Sequence, residues 1–404
     1  MRVCLFVASD DVSKQVNIYN EIILKIIKEL GSFTIVNFNN ILKKKINLVN
    51  DQNNISIIKS KFGKKIDYFN PSEKKEFLQY IGSDKIFAID GLGKSFNFFI
   101  IRRLINKKNI KLVLIMNLGF LSNEFFYSIN SFKGYLFKFK KKINNLLYKL
   151  LVIIKFFPNI FIYFETRKEI YNSCIKNRKT KLSFFFPFLN ILYFENIYKI
   201  NGKSYDHYLK NKNSLEEKKI IFLDGNYKHP DIINRENLDI IELKKRYFKR
   251  LEIFFKWFEN IFNQKVEICL HPSSDNNEYK NYFKDRIVSM NLTNENIIKS
   301  FIVIFHESSA ILDAIIYKKK IISLNTNLFG KYISTRILYY KEKLNLLSIE
   351  MDNYENYKNY QMKDILSRLQ YSTRDYDTYI GSYMKSDNEE LGVDKIIRIL
   401  KTYE

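Results

Sequence analysis

The stretch FIVIFHESSAILDAIIYKKKIISL, residues 301–324, contains two short apolar runs on either side of an amphipathic segment. The runs Phe301–Phe305 and Lys320–Leu324 are rich in β-branched residues, which predicts two buried strands. Between them, Ser309–Tyr317 carries apolar side chains at helical spacing, which predicts a helix. A strand, a helix and a second strand in this order predict a βαβ unit, whose two strands are parallel.

The same alternation occurs in both halves of the chain, so the sequence predicts an α/β protein with two Rossmann-like domains. The polar stretch 201–218 is poor in apolar runs, and we interpret it as a linker between a domain of residues 1–200 and a domain of residues 219–404 that ends in helices. Two such domains in series suggest the GT-B architecture, in which they face each other across a cleft. The other predicted strands include Arg2–Ser9, Phe33–Phe38, Lys85–Asp90, Lys111–Met116, Lys219–Leu223, Lys265–Leu270 and Arg286–Met290.

The composition indicates a globular protein whose partners are anions. The 404 residues are enough for two cores, and 46% of them are hydrophobic. The formal net charge of +24 attracts nucleotides, anionic lipid or acidic polysaccharide. Much of this charge also fits a dispersed, solvated surface. No compact Lys/Arg arm with interleaved aromatic residues stands out as a nucleic-acid motif, so we expect no nucleic-acid partner.

The cysteines and the terminus favour a reducing cytoplasm. Cys4, Cys174 and Cys269 are far apart and suggest neither a disulfide framework nor a metal site. The apolar run at the N-terminus, residues 1–8, is too short and too strand-like for a signal peptide. The basic stretch Lys133–Lys142 precedes the interrupted apolar stretch Leu146–Phe164. These two stretches predict either peripheral attachment to the inner face of the cell membrane or a core helix followed by a buried strand.

Polar residues just after the predicted strands are the candidates for chemistry, because open α/β sheets bind ligands at the carboxyl ends of their strands. Four pairs occupy such positions: Asp90-Gly91, Asp224-Gly225, His271-Pro272 and Ser308-Ser309.

The last two pairs suggest a phosphate site. A serine at a helix start is first a cap for a backbone N–H. Two serines after a buried strand also offer hydroxyl donors beside free N–H groups and a helix dipole, which favour an anion. A histidine after a neighbouring strand can donate to the same anion. A doubly wound sheet can bring His271 and Ser308 to one edge. The pair His306-Glu307 has no partner ligands at zinc-like spacing, so we expect no metal.

His271-Pro272 followed by Ser308-Ser309 resembles the HP and Ser-Ser motifs of bacterial sialyltransferases and polysialyltransferases, whose layout CMP-Kdo transferases share. The resemblance covers most of the chain by layout and about seven specific residues. It implies that the histidine and the serines hold the phosphate of CMP.

The resemblance also implies roles for residues elsewhere. In these families, an acidic pair followed by glycine supplies the general base, and Asp90 before Gly91 is similar to that motif. The chain departs from it in having Ile89 where the family usually has a second acid. A glutamate between the two donor motifs binds the CMP ribose in some members, and Glu295 is the best candidate for it in this chain.

These roles predict an inverting, metal-independent transfer of an acidic sugar from a CMP donor to a surface glycan, such as capsule or lipopolysaccharide. The CMP-sugar is a co-substrate, and no cofactor is expected. Sialic acid, another nonulosonic acid and Kdo all remain open as the sugar, and the acceptor is an oligosaccharide or a glycolipid.

Asp224 is a competing base, and Gly91, Asp224, Gly225 and His229 are candidates to line the cleft. The alternatives are a transferase using a UDP- or GDP-sugar, or a non-catalytic basic protein that binds membrane or polysaccharide.

Overall fold

The chain folds into two compact α/β units, as described by a computed structural model. Of the described residues, those before 118, those from 160 to Gly202 and Ser386–Glu404 belong to the first unit, and Lys203–Lys385 belong to the second. Both units contain a parallel sheet with helices, so the predicted class of two Rossmann-like α/β units is confirmed. The structure describes residues 2–9, 12–43, 48–82, 85–92, 99–108, 110–116, 160–179, 194–212, 216–228, 239–370 and 373–404.

Seven parallel strands form the sheet of the first unit, in the order β3-β2-β1-β4-β5-β6-β7. Strand β1 (Arg2–Val7) places Val3 and Leu5 in the core on one face and Cys4 and Phe6 in the core on the other. Because both faces are covered, its sequence is a continuous apolar run rather than an alternating one. The remaining strands are β2 (Phe33–Asn37), β3 (Ile66–Phe69), β4 (Ile86–Asp90), β5 (Lys111–Met116), β6 (Ile160–Glu165) and β7 (Phe194–Lys199).

The helices of the first unit bury apolar stripes at helical spacing. Helix α2 buries Ile22, Ile23, Ile26 and Ile27, which recur every three or four residues along one side. The helices that precede β7 in this unit are α1 (Ser13–Ile18), α2 (Asn20–Leu30), α3 (Asn39–Lys43), α4 (Leu48–Phe62), α5 (Lys74–Ile81), α6 (Phe99–Lys107) and α7 (Lys168–Lys179).

Six parallel strands form the sheet of the second unit, in the order β10-β9-β8-β11-β12-β13. The stretch 301–324 forms β11, a helix and β12, so the predicted βαβ unit is confirmed. The strands are β8 (Lys219–Leu223), β9 (Val266–Leu270), β10 (Val288–Met290), β11 (Ser300–Phe305), β12 (Lys320–Asn325) and β13 (Leu347–Glu350).

A long helix, α9 (Ile240–Phe262), covers the second sheet and contains the only tryptophan of the chain, Trp257, which is buried. The Asp239 side chain caps it by accepting the N–H groups of Ile241 and Glu242, and Asn263 ends it in the left-handed conformation. The other helices of this unit are α8 (Lys203–Asn211), α10 (Asn276–Tyr282), α11 (Thr293–Lys299), α12 (Ile311–Ile316), α13 (Gly330–Leu344), α14 (Met362–Gln370) and α15 (Thr373–Tyr383).

The start of the second unit differs from the predicted linker 201–218. Residues 203–211 of that stretch form α8, which packs against α12 of the same unit. Only Tyr205 and Asp206 of this helix are buried, so its sequence lacks the apolar run that would have identified it.

The end of the chain also differs from the predicted domain 219–404. Its last helix, α16 (Gly392–Lys401), belongs to the first unit and packs against α2. Ion pairs join the two helices, with Lys25 bound to Asp394 and Lys401 bound to Glu29. The position of α16 in the sequence suggested that it belongs to the second domain, but its contacts with α2 place it in the first unit.

The proposed membrane-facing stretch lies mostly outside the described residues, which include none of 133–159. The end of Leu146–Phe164 is described and belongs to β6, where Phe164 is buried in the sheet. Within the described part of the chain, no helix is both long enough and apolar enough to cross a membrane.

Candidate anion-binding site

Three predicted loops leave neighbouring strands at one edge of the second sheet. Strand β8 lies between β9 and β11, and its last residue, Leu223, pairs with Cys269 on one side and Phe305 on the other. Because all three strands are parallel, their carboxyl ends meet at the same edge. Adjacent strands are about 4.8 Å apart, so the chain leaves β9 and β11 at points roughly 10 Å apart.

Gly225 brings the loop after β8 against the loop after β11. A Cβ atom at residue 225 would lie closer to the carbonyl oxygen of Glu307 than real Cβ atoms approach any atom. Only glycine fits this approach. The residue after Glu307 is Ser308, so Gly225 holds the predicted serine loop beside the end of β8.

The loop after β9 holds the His271 ring through Ser273. The Ser273 backbone N–H donates to His271 Nδ1 at 3.2 Å, and the Ser273 hydroxyl oxygen lies 2.7 Å from the same nitrogen. Asn226, from the loop after β8, donates through Nδ2 to the Ser273 hydroxyl at 2.8 Å. The side chain of Asn226 thus ties two strand-end loops together. Pro272 is exposed next to this network.

Asp224 lies beneath these loops and is fully buried. Its carboxylate accepts hydrogen bonds from Ser274 Oγ at 2.7 Å and from the Tyr279 hydroxyl at 2.9 Å. Burial raises the pKa of the Asp224 carboxyl, and these two hydrogen bonds oppose the rise. Ser274 also donates its backbone N–H to the His271 carbonyl oxygen at 2.9 Å. Asp224 is therefore placed as an anchor for the His271 loop.

The serine loop places two hydroxyl groups at the carboxyl end of β11. Ser308 is partly buried and Ser309 is exposed. The N–H groups of Ile311 and Leu312 already donate to the carbonyl oxygens of Ser308 and Ser309, each at 3.2 Å. Helix α12 begins at Ile311, two residues later than predicted. Ser308 Oγ also accepts the Ala310 N–H at 3.4 Å, as expected of a serine near a helix start.

Glu295 is exposed in the first turn of α11, at the same edge as β9 and β10. The neighbouring Asn296 points inward and donates through Nδ2 to Ser289 Oγ of β10 at 3.0 Å. This contact fixes the start of α11 over the ends of these strands, with Glu295 facing outward.

Asp90 ends β4 in the first unit and is held in a buried ion pair. Arg102 Nη2 lies 2.6 Å from Asp90 Oδ2, and both side chains are at most 5% exposed. The Leu92 N–H donates to the other carboxylate oxygen at 3.1 Å. Gly91 lies against β1, because a Cβ atom there would be 2.6 Å from the Phe6 carbonyl oxygen. The structure thus brings Asp90 and Gly91 together with Arg102, a partner that the motif did not reveal.

A second buried pair, which sequence reasoning missed, follows β6. Glu165 accepts two hydrogen bonds from the Arg167 guanidinium, each at 2.9 Å, and also the backbone N–H groups of Thr166 and Arg167. The sequence signal that could have revealed this pair was an acid at the end of an apolar run, with an arginine two residues later. Sequence reasoning also missed Asn226 and Ser273, although both are polar residues next to a predicted motif.

His229 lies outside the described residues. Among the residues that the structure describes, no cluster of three or more histidine, cysteine, aspartate or glutamate side chains is placed to hold a metal ion.

The fold and the site define a protein with two doubly wound α/β units and a polar strand-end cluster on the second. No family model and no curated protein matches the chain. The chain is similar in structure to the UDP-GlcNAc 2-epimerase of Methanocaldococcus jannaschii in complex with UDP-GlcNAc and UDP, at 11% identity and a TM-score of 0.46 over 100% of both chains. It is also similar to the H444N variant of the wall teichoic acid polymerase TagF, at 12% identity and a TM-score of 0.48, over 100% of this chain and 89% of TagF.

Proposed function

We propose that the protein is an inverting glycosyltransferase that binds a nucleotide-activated sugar at the carboxyl edge of its second sheet. One observation carries the proposal. The His271 loop and the Ser308-Ser309 loop leave the two strands that flank β8, and both contact the short segment after it. An imidazole and two hydroxyls at one sheet edge are donors for a phosphate group.

The donor class follows from the two motifs. His271-Pro272 and Ser308-Ser309 resemble those of CMP-sugar transferases, so we assign a CMP-activated acidic sugar to the site, with Glu295 as the ribose ligand. The net charge of +24 suits an acidic donor and an anionic glycan acceptor at the inner face of a membrane. The cytoplasm, where nucleotide sugars are used, is the matching location.

The reaction is a single displacement at the anomeric carbon. The acceptor oxygen attacks that carbon, the bond from the carbon to the phosphate oxygen breaks, and CMP leaves with the bonding electrons. Hydrogen bonds from His271, Ser308 and Ser309 stabilise the charge that grows on the phosphate.

Asp90 remains the proposed base that takes the acceptor proton. An ionised carboxylate has about four acceptor positions. Arg102 and the Leu92 N–H use two of the positions on Asp90. The acceptor must reach one of the others.

Binding is tested by thermal unfolding with CMP, UDP and GDP, followed by the fluorescence of Trp257, which lies in the second unit. Selective binding of CMP should raise the unfolding temperature, because a ligand present at 100 times its Kd adds about 2.7 kcal/mol to the free energy of unfolding. His271→Ala and Ser308→Ala should abolish the shift. The matched variants His207→Ala and Ser367→Ala change residues outside the strand-end loops and should keep it.

Turnover is tested by the release of CMP from a CMP-sugar in the presence of a glycan acceptor. Asp90→Asn should lower the rate by about 10²–10⁴-fold while the CMP-induced shift persists. A shift with UDP or GDP alone would contradict the donor assignment. Full activity of His271→Ala would contradict the site itself.

A further inference from the structure

The Nδ1 atom of His271 is a hydrogen-bond acceptor. The Ser273 backbone N–H, 3.2 Å away, can only donate, so Nδ1 must present its lone pair. In a neutral imidazole, one nitrogen carries the proton and the other accepts. The proton of a neutral His271 is therefore on Nε2.

The Ser273 hydroxyl donates to the same nitrogen. Its oxygen lies 2.7 Å from Nδ1 and 2.8 Å from the Nδ2 of Asn226. An amide NH₂ only donates, so the hydroxyl oxygen accepts from Asn226 and directs its own hydrogen to His271. Ser273 thus supplies two donors to His271 Nδ1.

The orientation of the Asn226 amide has an independent cause. Its Oδ1 accepts the backbone N–H of Lys228 at 3.0 Å, which leaves Nδ2 to face Ser273. Asn226 is buried and has a φ of 59°, a left-handed conformation that asparagine tolerates better than most residues. The backbone turn and the amide therefore hold each other in place.

We infer that Asn226 and Ser273 are positioning residues that fix His271 in the tautomer with its proton on Nε2, so that the ring meets an incoming phosphate as a donor. The role at phosphate depends on the proposed function, but the tautomer does not. A ring with its proton on Nδ1 would instead present a lone pair, which repels a phosphate oxygen.

A second histidine gives an internal reference with the opposite tautomer. His306 Nδ1 lies 2.5 Å from the carbonyl oxygen of Leu324. A carbonyl only accepts, so the proton of His306 is on Nδ1. One protein thus contains both tautomers, each fixed by a backbone group.

Nitrogen NMR of the full chain labelled with ¹⁵N-histidine tests the inference, because the chain has only four histidines. The signals of His271 are those that disappear in His271→Gln. We expect a protonated Nε2 and an unprotonated Nδ1 for His271, with the reverse for His306. A His271 proton on Nδ1, or an even mixture of tautomers, would overturn the inference.

Variants separate the two positioning residues. Ser273→Ala should move the ¹⁵N chemical shifts of His271 partway toward the values averaged between the two tautomers. The change is partial because the backbone N–H of residue 273 remains. Asn226→Gly should cause a smaller shift in the same direction. The double variant should match Ser273→Ala, since Asn226 acts through the hydroxyl alone. Ser273→Thr should restore the tautomer. The control Asn263→Gly changes another left-handed asparagine, at the end of α9, and should leave the tautomer unchanged.

Binding connects the tautomer to the proposed function. We expect Ser273→Ala to weaken CMP binding roughly twofold to fivefold, because the population of the donating form falls and the donor itself remains. The inferred tautomer in a protein that binds no nucleotide would refute the proposed function and leave the positioning role intact. CMP binding that requires His271, with the proton on Nδ1, would refute the positioning role and leave the function intact.

Discussion

Asp90-Gly91 in the first unit and Asp224-Gly225 in the second are the same dipeptide at the end of a central strand, yet their carboxylates have opposite surroundings. Each glycine lies against a backbone carbonyl of the next strand or its loop. Asp90 is paired with a buried arginine, whereas Asp224 accepts from neutral hydroxyls. The backbone thus explains the shared motif, and the partner decides what the carboxylate can do.

The contrast extends along both edges. The first unit places ion pairs after its strands, with Glu165 bound to Arg167 as well as Asp90 bound to Arg102. The second unit has hydrogen bonds from neutral donors at its centre, where His306, just after β11, donates to a carbonyl and Asp224 accepts from hydroxyls. The buried ion pair of Asp90 predicts a response to the loss of Arg102, and the buried His306 predicts a response to acid.

Arg102→Met should have the largest effect, because it leaves the Asp90 carboxylate buried without its cation. We expect a loss of about 3–5 kcal/mol in the free energy of unfolding, measured by urea titration with circular dichroism. Arg103→Met, at the exposed neighbouring position, is the matched control and should change stability by less than about 0.5 kcal/mol. Equal effects of the two substitutions would show that the ion pair does not stabilise the first unit.

His306 should make the second unit sensitive to acid. Burial lowers the pKa of His306 to about 4, whereas the pKa of a histidine in an unfolded chain is about 6.5. The folded state therefore binds this proton less readily, and its stabilising contribution is complete above pH 6.5 and is lost as the pH falls toward 4. The expected loss is about 3 kcal/mol.

Urea titrations at pH 7, 5.5 and 4.5, followed by Trp257 fluorescence, measure this loss. His306→Gln should remove that part of the pH dependence, and His207→Gln should retain it. If His306→Gln kept the full wild-type dependence of the free energy of unfolding on pH, His306 would be excluded as the source of the acid sensitivity.

Gly225→Ala should have a smaller effect, since it disturbs the backbone approach that both dipeptides share. The new Cβ would collide with the Glu307 carbonyl oxygen, and we expect a loss of about 1–3 kcal/mol, with the same direction for Gly91→Ala. At Gly381, in α15, a new Cβ would meet no described atom outside the local helix backbone within 4 Å, so Gly381→Ala should stabilise the helix by up to about 1 kcal/mol. Thermal unfolding of the three variants checks the order, and a neutral Gly225→Ala would refute the close approach.

Strand ends were predictable because an apolar run followed by polar residues identifies them along the sequence. The positions of Asp90, Asp224, His271 and Ser308 at carboxyl edges were expected for this reason. Their partners were not, because Arg102 is 12 positions from Asp90 and Tyr279 is 55 positions from Asp224. Such contacts depend on how helices pack on the sheet.

A weaker signal existed for one of these partners. Arg102 follows Ile101 and precedes Leu104 on the apolar side of α6, and all three are buried. A cation within the apolar stripe of a helix indicates a buried anion nearby, since an unpaired charge would be too costly. The sequence contained no comparable signal that α12 would be short, because the length of this helix depends on the turn that precedes it.

The return of α16 to the first unit affects the order in which the two units mature on the ribosome. Domains generally fold as the chain emerges, from the N-terminus onward. The described part of the second unit has fully emerged once residue 385 is out, but the first unit still waits for the helix that covers α2. The unit that starts first is therefore the one that finishes last, and until then the core of the first unit lacks the apolar side chains Ile396, Ile397, Ile399 and Leu400 that complete it.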